Sequence, residues 1–212
     1  MKKIIYSPGE PAGIGPDLII RLATSEAWEN FRIPIITIGD PALFIDRACK
    51  LKKKLKVLEL DSIDNVKKNK RSLIQIIKVS KCKNTSAGKL KKINAKYVLD
   101  VLDYSIRLTV SNEKTALVTG PLNKETIISI NKKFTGHTEY IQKLTKSDDV
   151  LMMLASDKLK VALATTHIPL KNVSKSITKH LIVNKIKILN KDLKSKFNIC
   201  LLYTSDAADD FT

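Results

Sequence analysis

The chain has 212 residues, of which 43% are hydrophobic and 5% aromatic, and its formal net charge is +17. This length suits one large domain or two small ones, and the composition is typical of a globular protein with an aliphatic core. No apolar run approaches the ~20 residues that span a bilayer, and the apolar start ends at Ser7-Pro8, so we expect a cytoplasmic protein without a membrane segment or secretion signal.

The positive charge raises the possibility of nucleic-acid binding, but its distribution argues against a specific role. Nearly all basic residues are lysines, whereas bidentate recognition of bases and phosphates favours arginine. The densest clusters, residues 50–56 and 67–71, contain no aromatic residues on which bases could stack. We therefore expect a solvated lysine surface and no specific nucleic-acid partner.

The three cysteines, Cys49, Cys82 and Cys200, are far apart in sequence and form no CxxC pair. This spacing excludes a disulfide framework and a thiolate zinc site, and favours free thiols in a reducing compartment.

Apolar runs alternate with helical patterns along most of the chain. A long helix is expected to begin at Ser86 or Ala87, and Asp40-Pro41 is typical of a capped helix start. Strands are predicted at residues 4–6, 33–38, 73–79, 115–118, 150–155 and 159–164, and further helices at 16–24, 41–51 and from 178. This alternation predicts an α/β fold with a largely parallel sheet, in which the last two strands form an antiparallel hairpin.

Four short strings of turn-forming residues follow predicted strands, which is where α/β proteins present side chains to ligands. They are Gly9-Glu-Pro-Ala-Gly-Ile-Gly-Pro16, Thr119-Gly-Pro-Leu-Asn-Lys124, Phe134-Thr-Gly-His137-Thr138-Glu-Tyr140 and Ala164-Thr-Thr-His167-Ile-Pro-Leu170. The first string matches neither a dinucleotide fingerprint nor a P-loop, and a purely structural turn explains it as well as ligand contact does.

The two histidine strings also allow two interpretations each. His137 and Thr138 are predicted to begin a helix, where backbone N–H groups favour an anion such as a phosphate. A capping threonine beside an incidental histidine would give the same pattern. His167 could be a metal ligand, although a metal site needs at least two more donors and a lone histidine can be purely structural.

Taken together, these strings resemble the 4-hydroxythreonine-4-phosphate dehydrogenase family of vitamin B6 biosynthesis. The resemblance runs from about Ile4 to Ile199 and includes Val150-Leu-Met-Met-Leu-Ala155 and Val161-Ala-Leu-Ala-Thr-Thr-His-Ile-Pro-Leu170. It implies an isocitrate/isopropylmalate-dehydrogenase-like two-domain α/β fold, incomplete at the C-terminus, with residues 1–199 forming parts of two interleaved domains of a homodimer.

The resemblance also implies the chemistry. The enzyme would oxidise 4-phosphooxy-L-threonine with NAD, or NADP, to a β-keto acid that loses CO2 to give 3-amino-2-oxopropyl phosphate. His137 and Thr138 would bind this phosphorylated hydroxy amino acid, and His167 would be one of three histidine ligands of zinc, magnesium or cobalt. Lys124 is a candidate for electrostatic help, or simply a surface lysine. The alternatives are a related metal-dependent dehydrogenase of another phosphorylated hydroxy acid and a basic nucleic-acid-binding module.

The last residues, 200–212, depart from this pattern. They hold none of the 38 lysines and arginines but three aspartates, Asp206, Asp209 and Asp210. We expect this segment to be a non-native tail, with a genuine acidic terminus as the alternative. The remaining family ligands would lie further along a complete chain, so we expect the chain as given to be an inactive partial enzyme.

Overall fold

The computed structural model describes residues 2–199, which fall into two compact units, residues 1–147 and the part of the chain from residue 148. The strands are β1 (Lys3–Ser7), β2 (Ile35–Gly39), β3 (Lys56–Glu59), β4 (Leu73–Lys78), β5 (Thr115–Thr119), β6 (Met153–Ala155) and β7 (Lys160–Ala162). The helices are α1 (Gly15–Ala23), α2 (Ala27–Asn30), α3 (Pro41–Lys50), α4 (Ala95–Val110), α5 (Lys124–Ile128), α6 (His137–Thr145), α7 (Leu170–Ser176) and α8 (Lys179–Phe197).

The first unit is built on a five-stranded parallel sheet in the order β3-β4-β2-β1-β5. Every residue of β2 is buried, as is most of β4, so both faces of the central strands are covered. This burial explains why these strands are continuous isoleucine-rich runs without alternation. Helix α4 packs against β1, β2 and β5, and α3 packs against α1 and β3.

Local sequence sets several helix starts in the predicted way. The Asp40 side chain accepts a hydrogen bond from the Ala42 N–H at 3.1 Å and Pro41 occupies the first turn of α3. Thr178 caps α8 by accepting from the Leu181 N–H at 3.1 Å. These caps satisfy N–H groups that have no partner within the helix, and they confirm the predicted starts of α3 and α8.

The second unit consists of the β6–β7 hairpin, α7 and α8. The hairpin turn closes through the Ser156 N–H, which donates to the Leu159 carbonyl at 2.8 Å. The Lys185 ammonium of α8 donates to the Asp149 carboxylate at 2.7 Å and to the Val150 carbonyl at 2.6 Å. The hydrogen bond from Lys185 lowers the pKa of Asp149.

The structure corrects two predictions about elements and adds a strand that was not predicted. The long helix begins at Ala95, not at Ser86 or Ala87, because Gly88 adopts a φ of +74° and residues 92–94 form a 3-10 turn. The hairpin forms a two-stranded sheet of its own and is not an element of the parallel sheet. Strand β3 was not predicted, since it lies in a lysine-rich stretch without an apolar run.

Other predictions have a plainer outcome. Cys49 and Cys82 are free thiols, as expected, whereas Cys200 and the expected non-native tail lie outside the described residues. None of the described helices is long and apolar enough to span a membrane. The α/β class with a parallel sheet is confirmed.

Candidate functional site

The first three strings meet at the carboxyl end of the parallel sheet. The strand order reverses at β1. Strands β2, β4 and β3 lie on one side of β1, and β5 lies on the other. The carboxyl ends of β1 and β5 are therefore adjacent at a switch point, the place where open α/β sheets bind ligands. The first string leaves β1 and the second leaves β5.

Backbone hydrogen bonds join the turns after β1 and β5. The Glu10 N–H donates to the Pro121 carbonyl at 3.0 Å, and the Gly120 N–H donates to the Ser7 carbonyl at 2.7 Å. A Cβ on Gly9, which has a φ of +77°, would lie 2.2 Å from the Pro121 oxygen. A Cβ on Gly120 would lie 2.3 Å from the Pro8 oxygen. The glycines are thus required by the close approach of the two backbones.

The Arg47 side chain of α3 holds the turn after β1 by hydrogen bonds. Its side chain is buried, and its guanidinium donates to the Pro11 carbonyl at 2.7 Å and to the Asp17 carboxylate at 2.9 Å. A planar guanidinium can make these bonds simultaneously in fixed directions. The first string therefore forms a rigid structural turn, independent of any contact with a ligand.

Glu10 is the least expected group in this turn. It is 3% exposed; one carboxylate oxygen accepts from the Ala12 N–H at 3.1 Å, and the other has no partner among the described residues. Burial raises the pKa of Glu10, an effect that the Ala12 hydrogen bond partly offsets. The carboxyl group is thus held in conditions that disfavour its charge.

The second string leads directly to the start of α6. Asn123 caps α5 by accepting from the Thr126 N–H at 2.8 Å, which places Lys124 at the first position of that short helix. The Lys124 ammonium lies 3.5 Å from the position that a Cβ on Gly136 would occupy. Lys124 therefore stands beside the residue that precedes His137 and Thr138.

Helix α6 begins as predicted, at His137, but without a side-chain cap. The N-cap residue is Gly136, which has no side chain to make a capping hydrogen bond. His137 and Thr138 are half-buried. The exposed Glu139 carboxylate lies near the same point, with one oxygen 3.0 Å from the Gly136 Cβ position. The helix start thus combines open N–H groups, a hydroxyl, an imidazole and a lysine, with one carboxylate competing for them.

Burial and the Lys124 charge, in that order, lower the pKa of His137. At neutral pH the ring is therefore neutral and offers one N–H donor and one acceptor nitrogen. The positive charge of this cluster comes from Lys124 and from the helix start itself.

His167 belongs to the second unit. It follows β7, has a φ of +58° in the left-handed region and is exposed. Within residues 2–199 no three histidine, cysteine, aspartate or glutamate side chains are grouped so as to hold a metal ion. The described chain can therefore supply His167 as one donor but does not itself form a metal centre.

The structure brings His137, Thr138 and Lys124 together and leaves His167 in the other unit. Sequence reasoning missed the burial of Glu10 and the clamp by Arg47. The one signal in the sequence was the position of Glu10, an acidic residue inside a turn rich in glycine and proline. Arg47 gave none, because its partners lie 30 to 36 positions away in the sequence.

Comparison with known proteins gives matches to one family. Residues 31–201 match the family described as pyridoxal phosphate biosynthetic protein PdxA. The chain is 37% identical over 198 residues to the 4-hydroxythreonine-4-phosphate dehydrogenase of Enterobacter sp. (strain 638), covering 93% of this chain and 59% of the relative. It is also 37% identical to that of Colwellia psychrerythraea, covering 93% and 60%.

Solved structures support the fold. The 4-hydroxythreonine-4-phosphate dehydrogenase of Klebsiella pneumoniae superposes with a TM-score of 0.83 at 24% identity, covering 92% of this chain and 60% of that one. The chain thus spans about three fifths of the length of the relatives it matches. With most of its residues inside the family match, the chain belongs to the PdxA family of pyridoxal phosphate biosynthetic proteins.

Proposed function

We propose that the chain is part of an NAD-dependent, or NADP-dependent, dehydrogenase that oxidises 4-phosphooxy-L-threonine in pyridoxal phosphate biosynthesis. The observation that carries the proposal is the uncapped start of α6, where His137, Thr138 and Lys124 lie at the ligand-binding edge of the sheet. The names of the relatives support the same reaction class.

The reaction removes two hydrogens from the hydroxyl-bearing carbon of the substrate. When bound, the nicotinamide would supply the acceptor for the carbon-bound hydrogen as hydride, and the hydroxyl proton would leave to a base. The product is a β-keto acid, and the bond to its carboxylate breaks to release CO2. The carbon that loses CO2 keeps the electron pair and takes up a proton, which gives the amino ketone 3-amino-2-oxopropyl phosphate.

The residues at the start of α6 bind and orient the substrate. The free N–H groups and the Thr138 hydroxyl donate hydrogen bonds to its anionic or hydroxyl groups, and Lys124 adds a positive charge. His137 stays neutral because of its lowered pKa, so it offers one N–H donor to the substrate. These contacts hold the reacting carbon in place, which is a major part of catalysis in a two-substrate reaction.

The metal in this proposal is zinc, magnesium or cobalt, and His167 is one of its ligands. The described residues do not by themselves fit such an ion, because they contain no group of three donors.

The complete enzyme in this proposal is a cytoplasmic homodimer with the isocitrate/isopropylmalate-dehydrogenase-like two-domain fold. Residues 1–199 would then contribute parts of two interleaved domains. The structural neighbours support the α/β class of this fold.

The proposal is tested with a complete protein that contains this chain. We expect it to reduce NAD or NADP in the presence of 4-phosphooxy-L-threonine. Replacing His137 by Gln, or Thr138 by Val, should lower kcat/KM by roughly tenfold or more, because each change removes hydrogen bonds to a charged ligand. His180→Gln is the matched control, since His180 is an exposed histidine of α8.

Two outcomes would contradict the assignment. Equal turnover of a panel of phosphorylated hydroxy acids, or preference for another member, would favour a related dehydrogenase. Tight, sequence-selective binding of nucleic acid at physiological salt would favour the basic module, whereas we expect only weak, salt-sensitive binding.

A further inference from the structure

Tyr140 lies one turn beyond His137 in α6 and is fixed at three points. Its backbone N–H donates to the Gly136 carbonyl at 3.1 Å, which is a first hydrogen bond of the helix. Its ring packs against the buried Phe134, with the ring centroids 5.1 Å apart. Its hydroxyl donates to the Asp103 carboxylate of α4 at 2.5 Å. The Tyr140 side chain therefore links Phe134, which precedes Gly136, and the first turn of α6, which follows it, to α4.

The bond to Asp103 is the only one of these three that reaches another secondary-structure element. Helix α4 packs against β1, β2 and β5, so Asp103 is part of the rigid body of the first unit. A short hydrogen bond to a carboxylate is strong and directional. Burial, together with the neighbouring Asp103 carboxylate, raises the pKa of the Tyr140 hydroxyl, so it remains a donor at physiological pH.

Helix α6 also packs against α4, but this packing buries its residues only partly. The helix contains no fully buried residue, and its N-cap glycine offers no side chain. Its apolar residues Tyr140, Ile141 and Leu144 are only partly buried against the core. Without a fixed point near its first turn, such a helix start would fray, as helix ends generally do.

We propose that the Tyr140–Asp103 hydrogen bond is a positioning device that holds His137 and Thr138 at the substrate site. Neither residue touches the ligand; both act by fixing the first turn of α6 relative to Lys124 and the sheet edge. The inference rests on the proposed function, because the position of the helix start matters only if an anionic ligand binds there.

The test uses the 212-residue chain, with the histidine ring signals followed by NMR and assigned by single His→Gln variants. Two quantities are measured: the pKa of His137 and the affinity for inorganic phosphate, read from the His137 signal. The first quantity reports position without any ligand, since it depends on burial and on the distance to Lys124.

Tyr140→Phe keeps the ring contact with Phe134 and removes only the hydroxyl. We expect the His137 pKa to rise toward its ordinary value of about 6.5 and the phosphate affinity to fall by roughly threefold to tenfold. Asp103→Ala should have the same effect, and the double variant should do no more than either single one. Asp103→Asn should retain most of the wild-type behaviour, because its amide oxygen still accepts from Tyr140.

Two controls separate positioning from general stability. Tyr104→Phe removes a hydroxyl from the residue next to Asp103 in α4 and keeps the ring that packs against the core. Ile36→Val weakens the buried core of the sheet at a distance from α6. Neither should change the His137 pKa or the phosphate affinity.

The result that would overturn the inference is a His137 pKa that is the same in wild type, Tyr140→Phe and Asp103→Ala, or one that the two controls move equally. Phosphate that leaves the wild-type His137 signal unchanged would overturn the anion site of the proposed function. The His137 pKa would still decide whether the helix start is held by this bond.

Discussion

The two units of the chain bury their apolar residues to very different extents. The first unit encloses large side chains such as Trp28, Phe44 and Ile36 almost completely. In the second unit, Leu193 is the one buried hydrophobic residue among residues 148–199, and Leu154, Leu159 and Leu170 are 61%, 64% and 87% exposed. The central strands of the first unit are covered on both faces and give it a closed core, whereas a two-stranded hairpin with one long helix has little core of its own.

This difference bears on two candidate histidines, one in each unit. His137 stands on the edge of a well-packed body, with its helix start attached to α4. His167 lies on an exposed turn of the thin unit. A ligand bound at His137 meets a preorganised site, while a metal bound at His167 needs donors from elsewhere to be held firmly.

The largest expected contrast is between two phenylalanines. Phe44→Ala in the first unit should lower the free energy of unfolding by about 3–5 kcal/mol, because it leaves a cavity in a closed core. The single tryptophan, Trp28, lies in the same core and reports this transition by fluorescence during urea unfolding.

Phe197→Ala in the second unit is the counterpart of Phe44→Ala in the first. Phe197 is 44% exposed, so its loss should cost less than about 1 kcal/mol, measured by amide hydrogen exchange of α8. Equal costs at the two sites would break the comparison between the units.

A smaller effect is expected within the first unit, from a pair of glycines with the same backbone conformation. Gly9 and Gly88 have φ values of +77° and +74°, but a Cβ on Gly9 would collide with the Pro121 backbone while one on Gly88 would meet nothing within 4 Å. Gly9→Ala should cost about 3 kcal/mol, and Gly88→Ala only the strain of the left-handed conformation, about 1 kcal/mol. Urea unfolding of both variants measures the difference, and similar losses would mean that the joined turns do not stabilise the unit.

The next effect is pH-dependent and concerns Glu10. The folded state raises its pKa, so as the pH rises the unfolded chain ionises first and the folded chain loses relative stability until Glu10 ionises as well. Glu10→Gln removes this cost, so the stability of Glu10→Gln relative to wild type should increase from about pH 4 toward pH 7. A constant difference across this range in urea titrations would contradict the burial of the charge.

The smallest effect on stability is expected at His167. His167→Asn should change the free energy of unfolding by less than about 0.5 kcal/mol, because the side chain is exposed and asparagine tolerates a positive φ. In a complete protein the same change should reduce zinc affinity strongly in calorimetric titration, with His180→Asn as control. Unchanged zinc affinity would show that His167 is not a ligand.

The sequence was most informative where structure is decided locally. Apolar runs located β1, β2, β4 and β5, and Asp40-Pro41 located the start of α3, because these signals come from neighbouring residues. The predicted start of α4 was wrong because Leu90 and Ile93 continue the apolar spacing of the helix in the sequence. In the structure these two side chains are 52% and 58% exposed and lie outside the helix. The Gly88 N–H instead donates to the Ala12 carbonyl, a contact between distant residues that no periodicity reveals.

The candidate site likewise has features that local sequence predicts and features that depend on packing between distant residues. The turn-forming strings after strands predicted His137 and Thr138 at a helix start, since strand ends and helix starts are visible in sequence. The bond between Tyr140 and Asp103, 37 positions apart, and the clamp of the first turn by Arg47 were invisible, because they depend on how the helices pack.

The joined turns after β1 and β5 have a consequence for how the site can vary. Their mutual hydrogen bonds use only main-chain atoms, a Cβ does not fit at Gly9 or Gly120, and the Arg47 side chain holds the turn after β1. An exposed residue such as Glu125 could be exchanged without moving the framework that leads to Lys124. The ligand-facing chemistry of this edge can therefore be altered residue by residue while the scaffold beneath it keeps its shape.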